Sequence, residues 1–147
     1  MAPPIFMLTK RNYMNKNGLL LALVLVAGSR AIAQTTAWAA PSDAAGQRNP
    51  VPVSSPVLAE AKVLYVANCV PCHGEKGRGD GPAAQALTPK PADHSSALVQ
   101  GESDGSLFWK LSEGRNPMPG YKKVFTDQQR WELVCYIRSL AKTSKKK

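Results

Sequence analysis

Two thiols and an imidazole fall within five residues, Cys69-Val70-Pro71-Cys72-His73, in a chain of 147 residues that has only three cysteines and two histidines. Thiols three positions apart lie on one face of a helical turn, and the histidine that follows can point at a metal held there. C-x-x-C-H is the pattern of covalent haem attachment, in which both sulfurs add to the porphyrin vinyl groups and the histidine becomes the proximal iron ligand. Three other readings use part of the pattern. A thioredoxin-like dithiol belongs after a strand in a βαβ unit, and no strand pattern is visible here. A zinc site needs four N or S ligands, and only His94 and Cys135 remain to complete one. A disulfide loop that matches by chance would leave one of three cysteines over.

The sixth iron position decides between carrying electrons and binding a small molecule at an open iron. Met118 lies 45 residues beyond His73 in Asn116-Pro117-Met118-Pro119-Gly120-Tyr121. Proline on either side fixes local φ and removes two backbone donors, which suits a stiff loop that holds a thioether against iron. A lone methionine is commonly core filling, but this loop has no apolar periodicity. His94 is the rival ligand. It sits in Pro91-Ala92-Asp93-His94-Ser95-Ser96, a polar stretch in which a solvated histidine is expected. Asp80, Asp93 and Glu102 occupy Gly-rich or polar loops and form no acid/base constellation, so the sequence reads as a non-enzyme.

Three helices must position these groups. The first opens at Ser55-Pro56, an N-cap followed by proline, with Val57, Ala61, Leu64 and Tyr65 at helical spacing up to Ala67. The second runs from Asp104 to Glu113, with Leu107, Phe108 and Leu111 on one face and Gly114 as its stop. The third follows Thr126-Asp127-Gln128-Gln129, a capping box, and carries Trp131, Val134, Ile137, Leu140 and Ala141. Between the first two, residues 74–101 are rich in Gly and Pro and cannot build a core alone. An all-α unit of this size, residues 56–141, needs a staple to bury enough surface. A bound cofactor is the natural one.

The formal charge of +9 comes from 19 Lys+Arg against 10 Asp+Glu. Lys10, Arg11, Lys16 and Arg30 lie in residues 1–33, and Lys142, Lys145, Lys146 and Lys147 in the basic tail 142–147. The remainder is nearly neutral, which argues against nucleic acid as a partner. Residues 1–33 read as a signal peptide, with a basic start, an apolar run from Gly18 to Gly28 and a cleavage site ending at Ala33. Ala37-Trp38-Ala39 is a second site. The alternative is an uncleaved anchor, although a span needs about 20 apolar residues. Export implies the periplasm, with membrane attachment only if the segment is kept. Residues 34–55 read as a solvated linker with a reach on the order of 25 Å.

Taken together, Leu64-Tyr65, Cys69-x-x-Cys72-His73-Gly74, Gly79-Asp80-Gly81-Pro82, Met118-Pro119-Gly120-Tyr121 and the segment from Trp131 to Leu140 resemble a class I c-type cytochrome, the small bacterial monohaem kind. The resemblance covers residues 56–141 and implies the cytochrome c fold, with three to four short helices around one covalent haem c. It also implies a one-electron carrier whose iron is held by His73 and Met118. By the same resemblance the first and last helices cross at Ala61, and Tyr65 packs on Leu133 and Tyr136. The resemblance implies too that the Pro82 carbonyl accepts the Nδ1 proton of His73. The loop 74–101, with Thr88-Pro89-Lys90-Pro91, is closer to bacterial than to mitochondrial members. Cys135 lies outside the shared motif and reads as a small buried hydrophobe, with an intermolecular disulfide as the alternative. Lys122 and Lys123 follow the methionine loop, where they could steer an acidic redox partner. A haem c subunit of a larger oxidoreductase complex is the alternative function.

Overall fold

The computed structural model describes residues 38–141, and these are wholly helical and irregular. The signal segment, residues 34–37 and the basic tail lie outside the described residues. Six α-helical segments occur in the order α1 (Ser42–Ala45), α2 (Ser55–Asn68), α3 (Val70–His73), α4 (Ala97–Gln100), α5 (Asp104–Glu113) and α6 (Asp127–Ser139), with a single 3-10 turn at Ala84–Ala86. The three long ones are those the periodicity predicts.

Their ends follow from local chemistry. The Ser54 hydroxyl accepts from the Val57 N–H at the start of α2, one residue earlier than the sequence suggests, with Pro56 inside the first turn. Helix α5 is capped by Ser103 and stops at Gly114, whose φ of 67° is left-handed. In α6 both halves of the capping box form: Thr126 Oγ1 accepts from Gln129 N at 3.2 Å, and Gln129 Oε1 accepts from Thr126 N at 2.9 Å.

Helices α2 and α6 form the main packing pair. Ala61, Tyr65, Leu133 and Val134 are fully enclosed, and the Tyr65 and Tyr136 rings lie 4.9 Å apart. Phe108 of α5 stacks on Trp131 at 4.0 Å, and the Arg130 guanidinium covers the other ring at 4.6 Å from the Phe108 centroid. Arg130 is buried; its two terminal nitrogens donate to the Ser112 hydroxyl and the Asp127 carboxylate, while its Nε has no partner among the described residues. Arg138 ties α6 to the α4–α5 corner by donating to Asp104 Oδ1 at 2.8 Å and to the Gln100 carbonyl at 2.9 Å.

The expected linker is corrected by the structure. Residues 38–54 form a strap laid along α5 and α6. Asn49 Nδ2 donates to the Trp131 carbonyl at 3.1 Å and to Cys135 Sγ at 3.3 Å, and the Ser103 hydroxyl donates to the Ala45 carbonyl at 2.7 Å. Val51 packs against the core. Gly105 makes the close approach possible, since a Cβ there would run into the backbone of Ala44 and Gln47. The polar composition that suggested solvation is used for specific hydrogen bonds. Cys135 is buried beneath this strap as a free thiol, its pKa raised chiefly by burial and eased down by the Asn49 bond.

Candidate haem-binding site

Helix α2 runs almost directly into α3, because Cys69 closes the first helix with its N–H on the Tyr65 carbonyl and begins the next turn as its N-cap. The His73 N–H returns to the Cys69 carbonyl at 2.7 Å. Both thiols and the imidazole therefore sit on one tight turn, as the spacing predicts. The glycine loop that follows caps this turn. Gly79 N donates to the His73 carbonyl at 2.8 Å, and Gly81 N to the Cys72 carbonyl at 3.1 Å. Gly81 has no room for a side chain, since a Cβ would strike the Val70, Pro71 and Cys72 backbone.

The turn forms one wall of an apolar cavity of about 300 Å³. Cys69, Cys72, His73, Leu107, Leu111 and Met118 line it, together with Trp38 and Tyr121. Met118 is half-buried in a turn closed by two backbone bonds, Arg115 N to Met118 O at 3.0 Å and Met118 N to Arg115 O at 2.8 Å. That turn is fastened to the end of α5, where Tyr121 N donates to the Leu111 carbonyl at 2.8 Å.

His73 Nδ1 lies 2.9 Å from the Ala92 carbonyl. A carbonyl can only accept, so Nδ1 carries the proton and Nε2 keeps its lone pair for a metal. Burial lowers the His73 pKa, with the Ala92 bond opposing in part, which keeps the ring neutral as a ligand must be. The expected partner, the Pro82 carbonyl, is corrected to Ala92. Pro82 is exposed, in the loop that caps α3, whereas His94 N donates to the Gly77 carbonyl at 2.6 Å and so folds residues 91–94 back over the imidazole.

His94 also differs from expectation. It is buried, stacked on His73 with centroids 3.9 Å apart and planes 20° apart, and its Nδ1 pairs with the Tyr65 hydroxyl at 2.9 Å. Burial first, and His73 second, push its pKa down to about 3, with Asp93 opposing. Its polar neighbours conceal this in the sequence. Asp93 Oδ1 accepts from Ser95 N at 2.8 Å, so the surrounding polar groups satisfy one another locally. Cys69 is likewise forced toward the neutral form, its pKa pushed up to about 12 by burial and then by Cys72. Glu102 is not simply solvated: it pairs with Lys110 on the cavity wall.

A neutral imidazole with a free Nε2, two thiols on the same turn and a thioether in the same apolar cavity fit a haem attached through C-x-x-C-H. The cytochrome c family model matches residues 58–141. The chain belongs to the cytochrome c family. Comparison with curated proteins yields no match. Among solved structures, this cytochrome c is similar to a chain of the Kuenenia stuttgartiensis reducing HAO-like protein complex Kustc0457/Kustc0458, with 30% identity, a TM-score of 0.55 and coverage of 65% of this chain. It spans about half of that relative's length, 49%. A second similar structure is the KustC0563 c-type cytochrome, with 25% identity, a TM-score of 0.50, and coverage of 56% of this chain and 98% of that one. Haem c is the covalent cofactor of this cytochrome.

Proposed function

We propose that this cytochrome c is a periplasmic, class I monohaem carrier of single electrons, attached to its haem through Cys69 and Cys72, with His73 and Met118 as the two axial ligands. The observation that carries the reading is that His73 and Met118 line one apolar cavity beside both thiols. His94, the rival, lies flat against His73, and two stacked rings 3.9 Å apart cannot face one iron from opposite sides. The haem iron supplies the ferric/ferrous couple. The chain supplies neutral ligands and a dry wall, which favour the ferrous state and raise the potential. The Ala92 carbonyl holds the His73 ring in one orientation, and the fastened turn at residues 115–118 holds the thioether, so little has to move on electron transfer.

The periplasmic assignment rests on the signal-like residues 1–33. Lys122 and Lys123 are exposed beside the methionine turn, with Lys122 3.4 Å from Glu113. Lys123 is then the stronger point for drawing in an acidic redox partner, in a small and transient contact. A second reading, a haem subunit of a larger oxidoreductase, is favoured by the similarity to a chain of the HAO-like complex. Stable co-purification with a second redox protein from native membranes or periplasm would select it.

A redox-titrated optical spectrum of the purified protein tests ligation. The expected ferrous protein is six-coordinate and slow to bind CO, and Met118→Ala opens it to rapid CO binding and lowers its potential. Rapid CO binding by the unaltered protein would overturn Met118 as ligand.

A further inference from the structure

Trp38 lies outside the family match at residues 58–141, on the strap that the sequence presents as a linker. Its ring lines the cavity, and its indole Nε1 is buried with no acceptor. An N–H withdrawn from water without a partner has lost hydration for nothing in return, so it marks a site where an acceptor belongs. Two cations share the position. Arg115 Cζ lies 4.9 Å and Lys110 Nζ 5.3 Å from the Trp38 ring centroid, and Trp109 leans on the same ring at 6.4 Å. Lys110 is already paired with Glu102, which removes the one carboxylate that would repel an anion from this wall. Arg115 has no carboxylate partner among the described residues.

A buried donor and a guanidinium without a carboxylate partner, together in the lining of a largely apolar cavity, call for a carboxylate. The haem that this cavity takes carries two, its propionates. We infer that Trp38 donates its indole N–H to a haem propionate, with Arg115 and Lys110 balancing its charge, so that the N-terminal strap is part of the cofactor site. A docking partner's carboxylate is the other source of the same chemistry, but it would have to reach a buried atom. The inference rests on haem c as cofactor and is independent of the axial ligand at Met118. It also constrains processing: cleavage after Ala39 would remove Trp38, so any cut has to fall before it.

The test uses the exported, haem-loaded protein. In a ¹⁵N spectrum one indole N–H, lost in Trp38→Phe, is expected to resist deuterium exchange. Phenylalanine keeps an aromatic ring and removes the donor, and Arg115→Gln removes the guanidinium charge at a position exposed to solvent. Both leave more uncompensated negative charge near the iron. Each is expected to shift the ferric:ferrous ratio about threefold toward ferric at a fixed solution potential, about 28 mV lower at 59 mV per tenfold for one electron. An indole N–H that exchanges freely, unchanged potentials in both variants, or a mature chain that begins at Ala40 would overturn the inference alone. Effects seen only in the presence of a partner protein would assign the site to that partner's carboxylate and overturn it too. An unaltered protein lacking covalent haem would overturn the cofactor assignment along with it.

Discussion

At the scale of single residues, the site is governed by which polar group each buried atom meets. His73 takes its orientation from one carbonyl and one stacked ring, and that ring, His94, takes its own from the Tyr65 hydroxyl. Tyr121 has the same dependence on burial and gives a test by pH. It is 8% exposed, its hydroxyl donates to the Asn68 carbonyl at 3.1 Å, and its pKa is pushed up to about 12 by burial, with smaller additions from Cys69 and Cys72. The thiol additions vanish once both sulfurs are thioethers, and burial alone then raises it. A folded pKa above the unfolded value of 10.0 means the unfolded chain ionises first. The stabilisation is therefore whole below pH 10 and is lost as pH rises through 10 toward 12, at about 1.36 kcal/mol per pH unit. Tyr121→Phe is expected to lack that loss. Denaturant melts of both proteins between pH 8 and pH 12 should converge as pH rises. A gap between them that stays constant would count against the burial argument.

At the scale of elements, the molecule depends on the packing of α2 against α6, with Ala61 fully enclosed, and on the close approach of the strap to α5 at Gly105. Gly105→Ala would push the strap off, because its Cβ would occupy the space of the Ala44 and Gln47 backbone. Limited trypsin digestion should then cut after Arg48, an exposed site that the docked strap protects by holding its backbone fixed. Digestion at the unaltered rate would mean the strap is not held by this contact. What the sequence reveals about the elements divides along the same line. Helices α5 and α6 are legible because their signals are local: a capping box at Thr126 and Gln129, a stop at Gly114, apolar residues at helical spacing. The strap is hidden because its anchors are isolated residues whose partners lie 82 and 86 positions away, Asn49 on Trp131 and Cys135. The site follows suit. Cys69, Cys72 and His73 are legible from spacing on one turn, whereas the choice of Ala92 over Pro82 depends on the Gly77–His94 backbone bond, a loop path that no local pattern encodes.

At the scale of the whole molecule, the strong basic charge divides between two ends that lie outside residues 38–141. Within those residues, 11 basic side chains meet 10 acidic ones. Long-range attraction to a partner is therefore weak, which leaves the proposed recognition to local groups such as Lys123. The larger consequence of the design concerns stability. The long helices pack around an apolar cavity of about 300 Å³ that touches α2, α3, α5 and the methionine turn together. Without a cofactor, its apolar lining, Leu107, Leu111, Val99 and Ile137 among it, would stand against water in place of a packed core. The cofactor is thus a missing piece of core as well as the redox centre. A chain produced without haem maturation is expected to keep part of its helical far-UV signal, lose its near-UV signal and bind ANS. On heating it should unfold without a sharp transition, where the haem-loaded protein melts cooperatively. A haem-free chain with a cooperative melt at the holoprotein's Tm would show that the helices close the cavity by themselves, and would remove the cofactor from the account of why the fold is stable.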